Sequence, residues 1–186
     1  MYLRKVKSPL QVFAICGSTR SQSSNLQLIQ AFGRIAGNDL RIDLYENIAQ
    51  LPHFNPDLDK DLAPETVEAF RQRISRADGV LICTPEYVFS LPGSLKNALE
   101  WAISTTLFAG KPTAIITASA LGEHAHASLR LIMKTMEAKM TEDTQLLIPG
   151  IRAKIDAEGN FTDAVVADKF HRLVRGFGEM MRMQEV

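Results

Sequence analysis

Several features are absent from this 186-residue chain, and each absence narrows its function. No apolar window approaches the length of a membrane span, so a membrane protein is not expected. Lys plus Arg and Asp plus Glu both number 21, giving zero net charge, and nothing points to a polyanion-binding surface or a nucleic-acid partner. Only two cysteines occur, Cys16 and Cys83, each closing an apolar run; they read as buried, reduced thiols and favour a cytoplasmic protein. Arg4, Lys5 and Lys7 could form the charged end of a leader, but the apolar run that follows, Val12 to Cys16, is too short for one. Neither GxGxxG nor GxxxxGK[ST] is present, which disfavours a Rossmann pyrophosphate turn and a P-loop. No repeat, linker or low-complexity segment divides the chain, so a single domain over residues 1–186 is expected. No metal site is expected either. The late methionines read as core filling, and His124 and His126 would point about 200° apart on a helix.

What is present alternates between short apolar runs and helix-period segments. Leu10 to Cys16, Gly79 to Thr84, Pro112 to Ser119 and "QLLIPGI" read as strands, with Leu40 to Tyr45 a more exposed one. Helices are expected from about Asn25 to Ala36, Glu65 to Ala77, Ser94 to Ser104, His124 to Lys139 and Ala164 to Met183. Pro64 should occupy the first position of the second helix, and "RAKIDAEGNF" should form a hairpin-like continuation of the fifth strand. Five strands alternating with five helices predict an α/β three-layer sandwich. Its sheet would be parallel in the flavodoxin-like order 2-1-3-4-5, with helices on both faces.

In that order ligands bind beyond the carboxyl ends of strands 1 and 3. The two loops that meet there are also the least generic in the sequence. "GSTRSQSSN" (Gly17 to Asn25) offers hydroxyls, Arg20 and the free N–H groups of a helix start, a donor set suited to a phosphate monoester. A plain helix cap would need only one of Ser23, Ser24 or Asn25. "PEYVFSLPG" (Pro85 to Gly93) is stiffened by two prolines and carries Tyr87 and Phe89, flat surface for an isoalloxazine ring. Glu86 has no visible acid–base partner and reads as a structural acceptor; Tyr87 reads as a packing group. No protein nucleophile or catalytic acid–base is assigned.

These loops resemble hallmarks of the NAD(P)H-dependent FMN reductase family, which includes chromate, quinone and azo reductases. "GSTRSQSSN" is similar to the family's GSxRxxSxN, "PEYVFSLPGSLKNALEW" to PEYNxSxPGxLKNAxDW, and "LPHFNPDLD" to LPxYNxDL. The resemblance runs from about Val12 to Met140. It implies FMN as cofactor, its phosphate on Ser18, Arg20, Ser23 and Asn25 with Ser24 beside them. It places the ring on Pro85, Glu86, Tyr87 and Val88, with Ser119 across the crevice. It further implies NADPH or NADH as co-substrate, homodimers or homotetramers, and small electron acceptors: flavins, quinones, azo or nitro compounds, metal oxyanions.

Two departures accompany the match. Val88 stands where the family has asparagine, and "TASALGEHAHASLR" replaces a glycine-rich segment, with Ala120, Leu121, His124 and Ala125 at glycine positions. Glycine permits close backbone approach, so these residues are expected to crowd the ring or the nicotinamide's landing place. Two other readings stay open at this level: a flavodoxin-type FMN electron carrier, against which the zero net charge argues, and a family member that has lost FMN and acts through protein contacts.

Overall fold

A computed structural model describes residues 9–59 and 63–184. The basic triad Arg4, Lys5 and Lys7 and the loop residues Lys60 to Leu62 lie outside the described residues. Five parallel strands form one sheet: β1 (Leu10–Cys16), β2 (Leu40–Tyr45), β3 (Gly79–Thr84), β4 (Thr113–Ser119) and β5 (Gln145–Pro149). Their spatial order is β2-β1-β3-β4-β5, the flavodoxin-like order expected from the alternation of elements. The helices between them are α1 (Ser24–Ala36), α2 (Glu65–Arg76), α3 (Gly93–Ile103), α4 (Glu123–Thr135) and α5 (Ala164–Arg182).

Strand composition follows position in the sheet. Every residue of central β3 is buried, which explains its unbroken apolar run, whereas edge strand β2 is buried only at its ends, Leu40 and Tyr45, and exposes Arg41 and Asp43. Alternate residues of β1 feed two cores. Val12, Ala14 and Cys16 join α1 and α5 on one face, while Phe13 and Ile15 join α2, α3 and α4 on the other. Phe32, Phe170 and Phe177 meet edge-on in the first core, each contributing about 2–3 kcal/mol by full burial. Gly79 is set by this packing: a Cβ there would lie 2.6 Å from Met181 Sδ and 2.7 Å from Phe177 Cζ.

Three expectations need correction. Pro64 is the residue before α2, not its first turn residue; its ψ of 143° is extended. Helix α4 stops at Thr135, not Lys139, because Glu137 takes a positive φ of 58° and reverses the chain. The Ala138 N–H then bonds the Met133 carbonyl (3.0 Å) and the Glu137 N–H bonds that of Lys134 (3.1 Å), a Schellman ending built without glycine. Met140 accordingly reaches the second core from a loop. Finally, β5 ends at Pro149; the segment after it makes a short 3₁₀ turn, Ile151–Ala153, and a single antiparallel bridge, Ile155 to Phe161.

Candidate functional site

The β1–α1 loop leaves the sheet through Gly17, whose N–H bonds the Cys83 carbonyl at 2.8 Å. A Cβ on Gly17 would fall 2.3 Å from Thr84 Oγ1, so only glycine lets this loop lie against β3. Ser23 caps α1, its Oγ accepting from the Asn25 N–H (3.2 Å). The first turn of α1 contains no acidic residue, so the positive end of the helix dipole is uncompensated. Ser18 Oγ accepts from the Arg20 N–H at 3.4 Å, while the Arg20 guanidinium has no partner among the described residues.

Asn25 lines the cavity but is itself buried, and its side chain is also committed within the protein. Its amide donates to the Ala118 carbonyl (3.1 Å) and accepts from the Cys83 thiol (3.3 Å), fastening the start of α1 over β3 and β4. Burial pushes both thiols upward, Cys83 well above its ordinary range and Cys16 less far. They remain protonated and chemically quiet.

The facing loop is a two-residue hairpin. Tyr87 and Ser90 exchange backbone hydrogen bonds of 3.0 Å, and both central residues have positive φ, Val88 at 51° and Phe89 at 55°. Asparagine tolerates that backbone, whereas a β-branched valine is strained in it. Val88 is 94% exposed and Phe89 66%. Glu86 ties this loop to the next one: its carboxylate accepts from the Gly122 N–H (3.3 Å) and the Ala125 N–H (2.9 Å) at the start of α4. Ser119 Oγ closes the link by donating to the Glu86 carbonyl at 3.3 Å. The segment's one glycine, Gly122, sits at φ 98°, where a side chain is disfavoured and a Cβ would meet Leu147 Cδ1 at 2.9 Å.

Behind the hairpin, the Asn97 amide donates to the Pro52 carbonyl (2.9 Å) and its oxygen accepts from the Phe54 N–H (2.7 Å). Trp101 Nε1 donates to the same Pro52 carbonyl at 2.7 Å. Thus the "LKNALEW" helix anchors the "LPHFN" loop, which accounts for polar residues in two otherwise separate motifs.

A cavity of about 540 Å³ lies between these loops. The structure brings Ser18, Arg20, Ser23, Ser24 and Asn25 to one wall and Pro85, Tyr87 and Ser119 to another. Glu86 and Val88 do not line it. Of the residues expected to crowd it, only Ala120 borders it; Leu121 is exposed, Ala125 is buried in the second core, and His124 packs edge-on against Phe89 with ring centroids 5.4 Å apart. Sequence reading missed Gln22, Ala118 and the wall formed by Gly150 to Ala153. The carboxyl end of β5 adjoins that of β4, so attention to all the strand ends, not only the first and third, could have found it.

His126, one turn into α4, is half-buried, with Nδ1 2.9 Å from Thr117 Oγ1. Burial, aided by nearby Arg130, lowers its pKa to about 4, so the ring is neutral at pH 7.

The donor set fits a flavin mononucleotide. A phosphate has an acid-free helix start, hydroxyls and a guanidinium without a partner among the described residues, and a ring has the Pro85–Tyr87 surface. Comparison with known proteins agrees, since residues 10–152 match the family described as NADPH-dependent FMN reductase. The chain belongs to this family. Its activity is that of an NAD(P)H-dependent, FMN-using oxidoreductase. A 2-hydroxy-1,4-benzoquinone reductase from Burkholderia sp is 39% identical over 157 residues, covering 81% of this chain and 85% of that protein. The quinone reductase of Escherichia coli K12 is 32% identical over 184 residues, covering 95% and 98% respectively. Among solved structures, the NAD(P)H:(acceptor) oxidoreductase FerB from Paracoccus denitrificans superposes with a TM-score of 0.82 at 32% identity, covering 94% of this chain and 98% of its own.

Proposed function

We propose that this chain is an FMN-containing quinone reductase, one domain over residues 1–186, with the site formed by the β1–α1, β3–α3 and β4–α4 loops. FMN held here would supply the redox chemistry that links NAD(P)H to an acceptor. The protein's part is to bind and orient. Ser18, Ser23, Ser24, Arg20 and the first N–H groups of α1 hold the phosphate, and Asn25 holds the helix start in place. Pro85 and Tyr87 bear the ring, and Glu86 and Ser119 keep its platform in register with α4.

The observation that carries this reading is the acid-free start of α1, facing the cavity beside an arginine that has no partner among the described residues. Quinones lead the other acceptors (flavins, azo or nitro compounds, metal oxyanions) because similar proteins bear that activity in their names. Exposed Val88 and Phe89 near the mouth, and Ile103 and Leu131 along the α3–α4 groove, support a homodimer or homotetramer. Two reduced, buried thiols support a cytoplasmic setting. Titrating the apoprotein with FMN tests the site. Arg20→Ala should weaken binding by about 1.5–3 kcal/mol, the range for a charged hydrogen bond; unchanged affinity would remove Arg20 from it.

A further inference from the structure

The cavity has a second cationic side chain that none of the sequence motifs contains. Arg152 lines it from the 3₁₀ turn after β5 and, like Arg20, has no hydrogen-bond or ion-pair partner among the described residues. An arginine left unpaired in a concave site is available for an anion.

Its backbone is held firmly. Gly150 takes a left-handed φ of 65°, and its N–H bonds the Ala120 carbonyl at 3.1 Å, joining this turn to the β4–α4 loop. Ile151 is buried in the first core, and the Ala153 and Lys154 N–H groups bond back to Gly150 and Ile151 at 3.0 and 2.9 Å. The chain beyond then docks along α1. Gln27 Nε2 donates to the Ala157 carbonyl at 2.9 Å, and the Arg34 guanidinium donates to the Gly159 carbonyl at 3.2 Å.

The start of α1 lies next to this turn. Asn25 fastens it to the Ala118 carbonyl, and Ala118 pairs with Ile148 on β5, one strand away at about 4.8 Å. The turn bearing Arg152 therefore continues from the strand beside the one to which α1's N-terminus is pinned. A phosphate monoester carries nearly two negative charges. One guanidinium and a helix end equivalent to about half a charge leave it partly uncompensated.

Building on the flavin reading above, we propose that Arg152 is a second phosphate-binding residue, closing the anion site opposite Arg20 and selecting FMN over riboflavin. The β5–α5 connection thereby becomes part of the cofactor site, and its docking on α1 places the second guanidinium. The ring-side contacts are independent of it.

The test is binding, not turnover. Apoprotein of the wild type, Arg152→Ala, Arg152→Lys, Arg20→Ala and the double alanine variant is titrated with FMN and with riboflavin by flavin fluorescence. Circular dichroism checks each fold. Arg152→Ala should raise the FMN Kd roughly 10- to 100-fold while moving the riboflavin Kd less than about twofold. Arg152→Lys should recover part of the loss, and inorganic phosphate should compete with FMN less well in Arg152→Ala than in the wild type. Unchanged FMN affinity overturns the proposal, as does an equal loss for riboflavin, which would place Arg152 on the ring or ribityl chain. It is also overturned if FMN affinity holds but NADP⁺ binding to the FMN-loaded protein is lost, which would assign Arg152 to the dinucleotide. Those results leave the flavin reading standing; only a wild type that binds neither flavin overturns both.

Discussion

Glu86 offers a discriminating perturbation, because its carboxylate joins two loops without lining the cavity. Replacing it with alanine removes two acceptors from the α4 start, one well formed at 2.9 Å to Ala125 and one longer at 3.3 Å to Gly122. Loss of a cap costs about 0.5–2 kcal/mol, and loss of a negative charge at a helix N-terminus about 0.3–1 kcal/mol more. A total near 2 kcal/mol corresponds to a Tm about 4–8 °C lower in a chain of this size. Glu86→Gln retains a neutral acceptor and should lose about half as much. Both variants should bind FMN less tightly, alanine more so, since the ring platform loses its tie to β4–α4. Calorimetric melts of the apoprotein combined with FMN titrations measure both quantities. A Glu86→Gln variant with wild-type Tm and FMN affinity but a collapsed turnover would refute this reasoning and make Glu86 a catalytic base.

Three further outcomes follow from local geometry. Val88→Asn should stabilise the protein by about 1 kcal/mol in urea unfolding, because asparagine accepts the left-handed backbone that strains valine. Glu137→Gly should add about 0.5–1 kcal/mol by relieving the Schellman position, again measured by urea midpoints. Below pH 6.5 the unfolded chain protonates His126 while the folded one resists until about pH 4, so stability should fall across that interval as pH drops. The ring shares its surroundings with Thr117, Arg130, Glu142, Asp143, Lys169 and Arg172 and is partly solvated, so the loss should be about 1–2 kcal/mol after screening. His126→Gln should flatten this slope in pH-dependent melts; an unchanged slope would place the titration elsewhere.

Sheet order and layers were legible because central β3 is buried throughout while each helix carries one apolar stripe. The end of α4 was not, because its left-handed terminal residue is Glu137, and only glycine or asparagine announces such a cap in sequence. In the site, the residue types were visible but their division of labour was not. Asn25 and Glu86 sit inside motifs that predict cofactor contact. The structure shows the Asn25 amide committed to β3 and β4 and the Glu86 carboxylate to α4. Such assignments depend on long-range neighbours, 93 residues away for the Asn25–Ala118 bond, that no local pattern encodes. Arg152 was missed because only the ends of strands 1 and 3 were considered, whereas its turn follows β5 and is tied to the β4–α4 loop by the Gly150–Ala120 bond. The departures at Leu121 and His124 looked damaging from composition alone, yet neither residue lines the cavity.

The central claim is that this cavity holds FMN and that NAD(P)H reduces it there. The visible spectrum of the FMN-loaded protein, recorded anaerobically before and after NADPH and separately NADH, tests it most directly. The account predicts that the flavin absorption bleaches with at least one nicotinamide and returns on addition of a quinone. A protein that binds FMN but bleaches with neither would be a carrier, and one that takes up no FMN would contradict the account outright.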